Sequence, residues 1–179
     1  MRRREVLAGA VGAAAVGGAG LAITLDTDWL VADEEDEDYA DDPVTVETID
    51  APGSKAGEIT VPNGEDVQVV EFFATTCQTC TAMKPEVAAA AAATEDATFL
   101  SVTNEGADDE TLRGYWNDVD GNWALGVDPT SELFVRYDGV PVPTMVALDT
   151  RGRVRWEHTG SVTEEEILEG VERAQSADA

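Results

Sequence analysis

The chain has 179 residues, enough for one ordinary domain with its own core plus extensions. Its 37 acidic and 11 basic residues leave a net charge of −26, and only Lys55 and Lys84 are lysines. A surface of that sign repels phosphate backbones and argues against nucleic acid as a partner. Asp33 to Asp42 alone carries eight carboxylates, yet residues 43–179 still hold 26 acidic against 8 basic residues, a net of −18. The acidity therefore belongs to the folded domain as well as to a tail. Self-repulsion on this scale is relieved where salt screens it, the Debye length falling to about 3 Å at 1 M. With lysine so scarce, the pattern is that of a protein from a salt-loving organism.

Residues 1–25 have the character of a targeting segment. Arg3-Arg4-Glu5-Val6-Leu7 is similar to the twin-arginine export signal, and a mildly apolar Ala/Gly/Val/Leu stretch follows. The stretch is long enough to remain as a membrane anchor, and cleavage is equally compatible with it. Residues 26–42 have little to bury and are expected to form a disordered, self-repelling tether. The folded domain is expected over 43–179.

Val44 to Ile49 and Glu58 to Val61 are predicted as short strands around a turn-rich Asp50-Ala51-Pro52-Gly53-Ser54. Val67 to Phe73 is almost continuously apolar, the mark of a strand covered on both faces. A helix is predicted over 78–94, with six consecutive alanines at Ala88 to Ala93. Ala97 to Thr103 is predicted as a second buried strand, and Leu112, Tyr115 and Trp116 mark a helix from about Asp108. Another helix is expected to start at Pro129, capped by Asp128 and stopped by Gly139, with Leu133, Phe134 and Tyr137 on one face. Thr144 to Leu148 and Arg153 to Thr159 form a predicted hairpin through Asp149-Thr150-Arg151-Gly152. Thr163 and Glu166 then form a capping box for a helix bearing Ile167, Leu168, Val171 and Ala174. This order predicts an α/β sheet with helices on both sides.

The two cysteines, Cys77 and Cys80, sit three apart at the junction of the buried strand and the helix that follows. A disulfide so short cannot staple distant segments, so the spacing points to chemistry. At a helix start, free N–H groups and the macrodipole favour the thiolate of Cys77. One turn later, Cys80 is placed to attack a mixed disulfide and release the product. A four-ligand zinc site lacks its other half, because no further cysteine exists and His158 is the only histidine. His158 is read as a partly buried structural residue on the face of Val154 and Trp156. Trp116, Trp123 and Trp156 are read as core.

The run Phe72-Phe73-Ala74-Thr75 before Cys77, Pro85 five residues after Cys80, and Val142-Pro143-Thr144 before a strand together resemble the thioredoxin superfamily. Within it, they are similar to the exported TlpA/ResA-like thiol–disulfide oxidoreductases. The likeness spans about Pro43 to Gln175. It implies a thioredoxin-like α/β fold with a central mixed sheet, flanking helices and an N-terminal hairpin extension. It implies a redox-active Cys77–Cys80 disulfide with no other cofactor and no metal. Pro143 would be the cis residue, with Pro141 as competitor. Val142 would offer its backbone to an extended substrate, and Gln78, Thr79 and Thr144 would complete the contact surface. Glu71, six residues before Cys77, would take the proton from Cys80. The implied partners are protein thiols and disulfides, with a membrane electron donor possible, for a monomeric soluble domain outside the cytoplasm. Thr76 stands where the family usually has Trp, and Gln78-Thr79 replaces the usual Gly-Pro or Pro-Pro. The direction of electron flow is therefore open. A copper chaperone and a peroxidase are the competing readings; the cysteine spacing opposes the first, and the surrounding residues oppose the second.

Overall fold

The computed structural model describes residues 42–178. The export segment read over 1–25, and the acidic tether apart from Asp42, lie outside the described residues.

The elements follow in the order β1 (Val44–Thr48), β2 (Gly57–Val61), β3 (Val67–Phe72), α1 (Gln78–Ala93), β4 (Ala97–Thr103), α2 (Asp109–Asp118) and β5 (Ala124–Val127). Then come α3 (Glu132–Arg136), β6 (Thr144–Leu148), β7 (Val154–Thr159) and α4 (Glu164–Asp178). The strands form one seven-stranded mixed sheet in the order β2-β1-β5-β4-β3-β6-β7. β3, β4 and β5 run parallel, while β1, β2, β6 and β7 join through antiparallel pairs. This is the thioredoxin-like fold, with the β1–β2 hairpin as its N-terminal extension.

The continuous apolar run in β3 has its cause in the two cores. Val67 and Val69 pack into one cluster with Cys80, Met83 and Val87 of α1, Leu112 and Trp116 of α2, and Ile167 and Val171 of α4. Val70 and Phe72 pack into the other with Leu133 and Phe134 of α3. All six β3 residues are buried as a result. The helix ends behave as their chemistry dictates. Asp108 accepts the Thr111 N–H at 2.8 Å, and Glu166 accepts the Thr163 N–H at 2.9 Å in the reciprocal capping box.

Two elements differ from expectation. The helix read from Pro129 starts at Glu132. Asp128 still caps it, but from a distance: its carboxylate accepts the N–H groups of Glu132, Leu133 and Phe134 at 2.9–3.1 Å. Ser131, in the left-handed region at φ 58°, turns the chain into the helix, so residues 129–131 form a turn. The chain leaves α3 through Asp138 at φ 47°, and Gly139 is needed for space instead, since a Cβ there would lie 2.6 Å from the Phe72 ring. The second difference is β5, a four-residue strand between β1 and β4 that sequence periodicity does not disclose. Its Gly126 lets the strands close up: a Cβ would meet Leu100 at 3.1 Å and the Glu47 carbonyl at 3.4 Å.

Candidate active site

β3 delivers the chain to a tight turn, closed by the Cys77 N–H donating to the Ala74 carbonyl at 3.1 Å. Cys77 then caps α1, its sulfur accepting the Cys80 N–H at 3.0 Å. Cys77 and Cys80 are joined as a disulfide with Cα atoms 5.2 Å apart. Their surroundings differ sharply. Cys77 is half-buried and flanked by exposed Gln78 and Thr79, whereas Cys80 is fully buried.

One turn beyond Cys80 on α1, Lys84 joins a buried charged cluster. Glu71 is 1% exposed and Lys84 0%, and the Lys84 ammonium donates to Glu71 Oε2 at 2.6 Å. The Ser101 hydroxyl also donates to Glu71 Oε2, and Ser101 Oγ accepts the Trp123 indole N–H at 2.8 Å. Glu71 Oε1 is buried without a hydrogen-bond partner. The ammonium sits 4.3, 5.2 and 5.9 Å from the ring centres of Phe73, Trp116 and Trp123, a site where aromatic faces stabilise a cation. Burial pushes the Lys84 ammonium below its ordinary value, and the adjacent Glu71 carboxylate opposes that shift.

Lys84, Ser101 and Trp123 were not legible as site residues from spacing alone. One signal existed for Lys84: it stands four residues after Cys80 on the helix face that carries Met83 and Val87, an odd place for one of two lysines. Ser101 reaches Glu71 because the parallel β3–β4 register sets the two opposite each other. That is a tertiary fact.

The remaining predicted residues gather at the same end of the sheet. The β3–β6 register pairs Phe72 with Thr144, so Pro143 lies just beyond the end of β3 from which Cys77 departs. The Val142–Pro143 bond is cis, as are Val140–Pro141 and Val61–Pro62. Val142 is half-buried, packed against both cores. Thr144 is buried; its hydroxyl donates to the Pro141 carbonyl at 2.7 Å and lies 3.2 Å from the Thr159 hydroxyl, which ties down the loop. His158 is half-buried, stacked on Trp156 at 5.9 Å with Nε2 2.7 Å from the Ser161 carbonyl. Among the described residues no group of three His, Cys, Asp or Glu side chains is placed to hold a metal ion.

The thioredoxin family matches residues 55–114, the stretch holding β3, both cysteines and α1. Among solved structures the chain is similar to StoA from Bacillus subtilis, with a TM-score of 0.62, 18% identity, and coverage of 72% of this chain and 95% of that one. The exposed lipoprotein thioredoxin Etrx1 from Streptococcus pneumoniae gives a TM-score of 0.62 at 20% identity, covering 73% and 98%. A secreted Mycobacterium tuberculosis disulfide oxidoreductase, homologous to Escherichia coli DsbE, gives 0.58 at 18% identity, covering 79% and 98%. No curated protein sequence matches the chain. The fold is thioredoxin-like, and the stretch that matches the thioredoxin family carries the disulfide-paired cysteines.

Proposed function

We propose that the chain works outside the cytoplasm as a reductase of disulfides in exported proteins, for example thiols kept ready during cytochrome c maturation. One observation carries the mechanism: the disulfide pairs a reachable sulfur with a buried one, and a buried carboxylate with an unpartnered oxygen stands on β3 six residues before Cys77. In the reduced protein the Cys77 thiolate attacks a substrate disulfide. One substrate sulfur bonds to Cys77 and the other leaves as a thiolate. Glu71 Oε1 takes the Cys80 proton, and Cys80 attacks the Cys77 sulfur. That restores the Cys77–Cys80 disulfide and releases the second substrate thiol, so two electrons pass to the substrate. Val142 pairs with an extended substrate segment, Pro143 and the buried Thr144 hold the loop that presents it, and Gln78 and Thr79 offer exposed side chains beside Cys77. A membrane electron donor would return the two electrons.

Export rests on the Arg3-Arg4-Glu5-Val6-Leu7 start and on likeness to secreted and surface-exposed proteins. No helix among the described residues is long and apolar enough to cross a membrane. The domain is read as a soluble monomer. The opposite direction, disulfide formation, uses the same groups in reverse.

Equilibration of the Cys77–Cys80 pair with defined thiol buffers at high salt decides the direction. A potential near −270 mV fits a reductase; one near −120 mV would identify an oxidant. Glu71→Gln keeps the shape of the side chain but cannot accept the proton. Disulfide reduction by this variant is expected to slow by about 100-fold or more between pH 6 and 9, as for a lost general base. Equal rates in stopped-flow assays across that range would remove Glu71 from the mechanism.

A further inference from the structure

The carboxylate of Glu105 stands outside the Glu71–Lys84 cluster and has no part in the exchange steps. It follows β4, yet it reaches back across 30 residues of sequence to accept the Thr75 N–H at 2.7 Å. Thr75 lies two residues before Cys77, inside the turn closed by the Cys77 N–H. Local bonds hold the half-buried Glu105 in place: its own N–H donates to the Thr103 hydroxyl at 3.2 Å, and that hydroxyl lies 3.4 Å from Glu105 Oε2. Both donors to the carboxylate are neutral, so its charge stays uncompensated by them.

We propose that Glu105 is a positioning residue for Cys77, which fixes the loop delivering the cysteine and, by its charge, restrains ionisation of the Cys77 thiol in the reduced protein. The proposal rests on the oxidoreductase reading. Among the described residues, the Glu71–Lys84 pair, the α1 N-terminus and Tyr115 also face this region. The pair's charges largely offset each other at 2.6 Å, and the helix end favours the thiolate. The Tyr115 hydroxyl lies 3.4 Å from the Thr81 hydroxyl, which itself donates to the Cys77 carbonyl at 3.3 Å. Burial raises the Tyr115 phenol above its ordinary value, the Thr81 hydrogen bond opposes, and the carboxylates of Glu71 and Glu105 add to the rise. The Glu105 carboxylate, held by the Thr75 N–H, thus sits on the loop that leads into Cys77 and the first turn of α1. A negative charge there disfavours a second one on sulfur and makes the dithiol more strongly reducing.

The test is iodoacetamide alkylation of Cys77 in the reduced full-length protein against pH, with the potential of the pair, for the parent and for Glu105→Gln, Glu105→Asp and Glu105→Ala. Glu105→Gln keeps an acceptor for Thr75 but loses the charge. Its alkylation midpoint should move to lower pH, with alkylation at pH 6 roughly threefold faster and the pair less reducing. Glu105→Asp should return both values toward the parent. Glu105→Ala should show the same shift with a lower melting temperature as well. A Glu105→Gln variant matching the parent in midpoint and potential overturns the proposal. A parent that exchanges no disulfides would instead overturn the oxidoreductase reading, so the two failures are distinguishable.

Discussion

Lys84→Met is expected to destabilise the domain by about 3–5 kcal/mol, the usual cost of stranding one member of a buried ion pair. The reason is local. Among the described residues Glu71 Oε1 already lacks a partner, and removal of Lys84 would leave Ser101 as the one donor to Oε2. No water-facing path relieves the charge, because both side chains are essentially inaccessible. The methylene stem and three ring contacts of Lys84 are largely matched by methionine, so the loss reports on charge more than on packing. The double variant Glu71→Leu/Lys84→Met should recover most of the stability, since an apolar pair of similar volume needs no compensation. Urea unfolding at constant high salt of both variants, of Glu71→Leu alone and of the parent completes a double-mutant cycle. A Lys84→Met variant within 1 kcal/mol of the parent would mean the pair is not charged in the folded domain.

The second large effect concerns the cysteines. Cys77→Ser should abolish disulfide reduction, because the reachable sulfur is gone and the remaining one is fully buried. Cys80→Ser should keep the first attack and lose the second, so that a mixed disulfide between Cys77 and substrate accumulates. Mass spectrometry of the reaction with a disulfide-containing peptide separates the outcomes. Trapping by Cys77→Ser instead of Cys80→Ser would reverse the assigned order of attack.

The difference between these predictions reflects where their information lies. The cysteine pair, the approach through Phe72-Phe73-Ala74, Pro85 and the Val142-Pro143-Thr144 segment are contiguous or nearly so, and their chemistry depends on spacing within one or two turns of chain. The same holds for the Asp108 and Thr163/Glu166 caps, where side chain and backbone partner are three residues apart. The strand run at β3 was legible because burial on both faces suppresses alternation.

What lay beyond reach shares the opposite property. β5 has four residues and a glycine, and is a strand only because β1 and β4 offer it hydrogen-bonding edges on both sides. The start of α3 moved because one carboxylate could bridge three N–H groups over a turn, which local propensity does not encode. The surroundings of Glu71 combine Lys84 from α1, Ser101 from β4 and Trp123 from the residue before β5. Glu105 meets Thr75 across a similar gap.

By itself, the sequence determined the order of the elements apart from β5, the dithiol at a helix start and the acidic surface, because each rests on periodicity, capping or composition within a short window. Only the tertiary structure decided which side chains face the buried acid, which cysteine is reachable and what holds the loop before it. Those depend on strand register and on helix faces brought together from distant segments, and no local pattern carries that information.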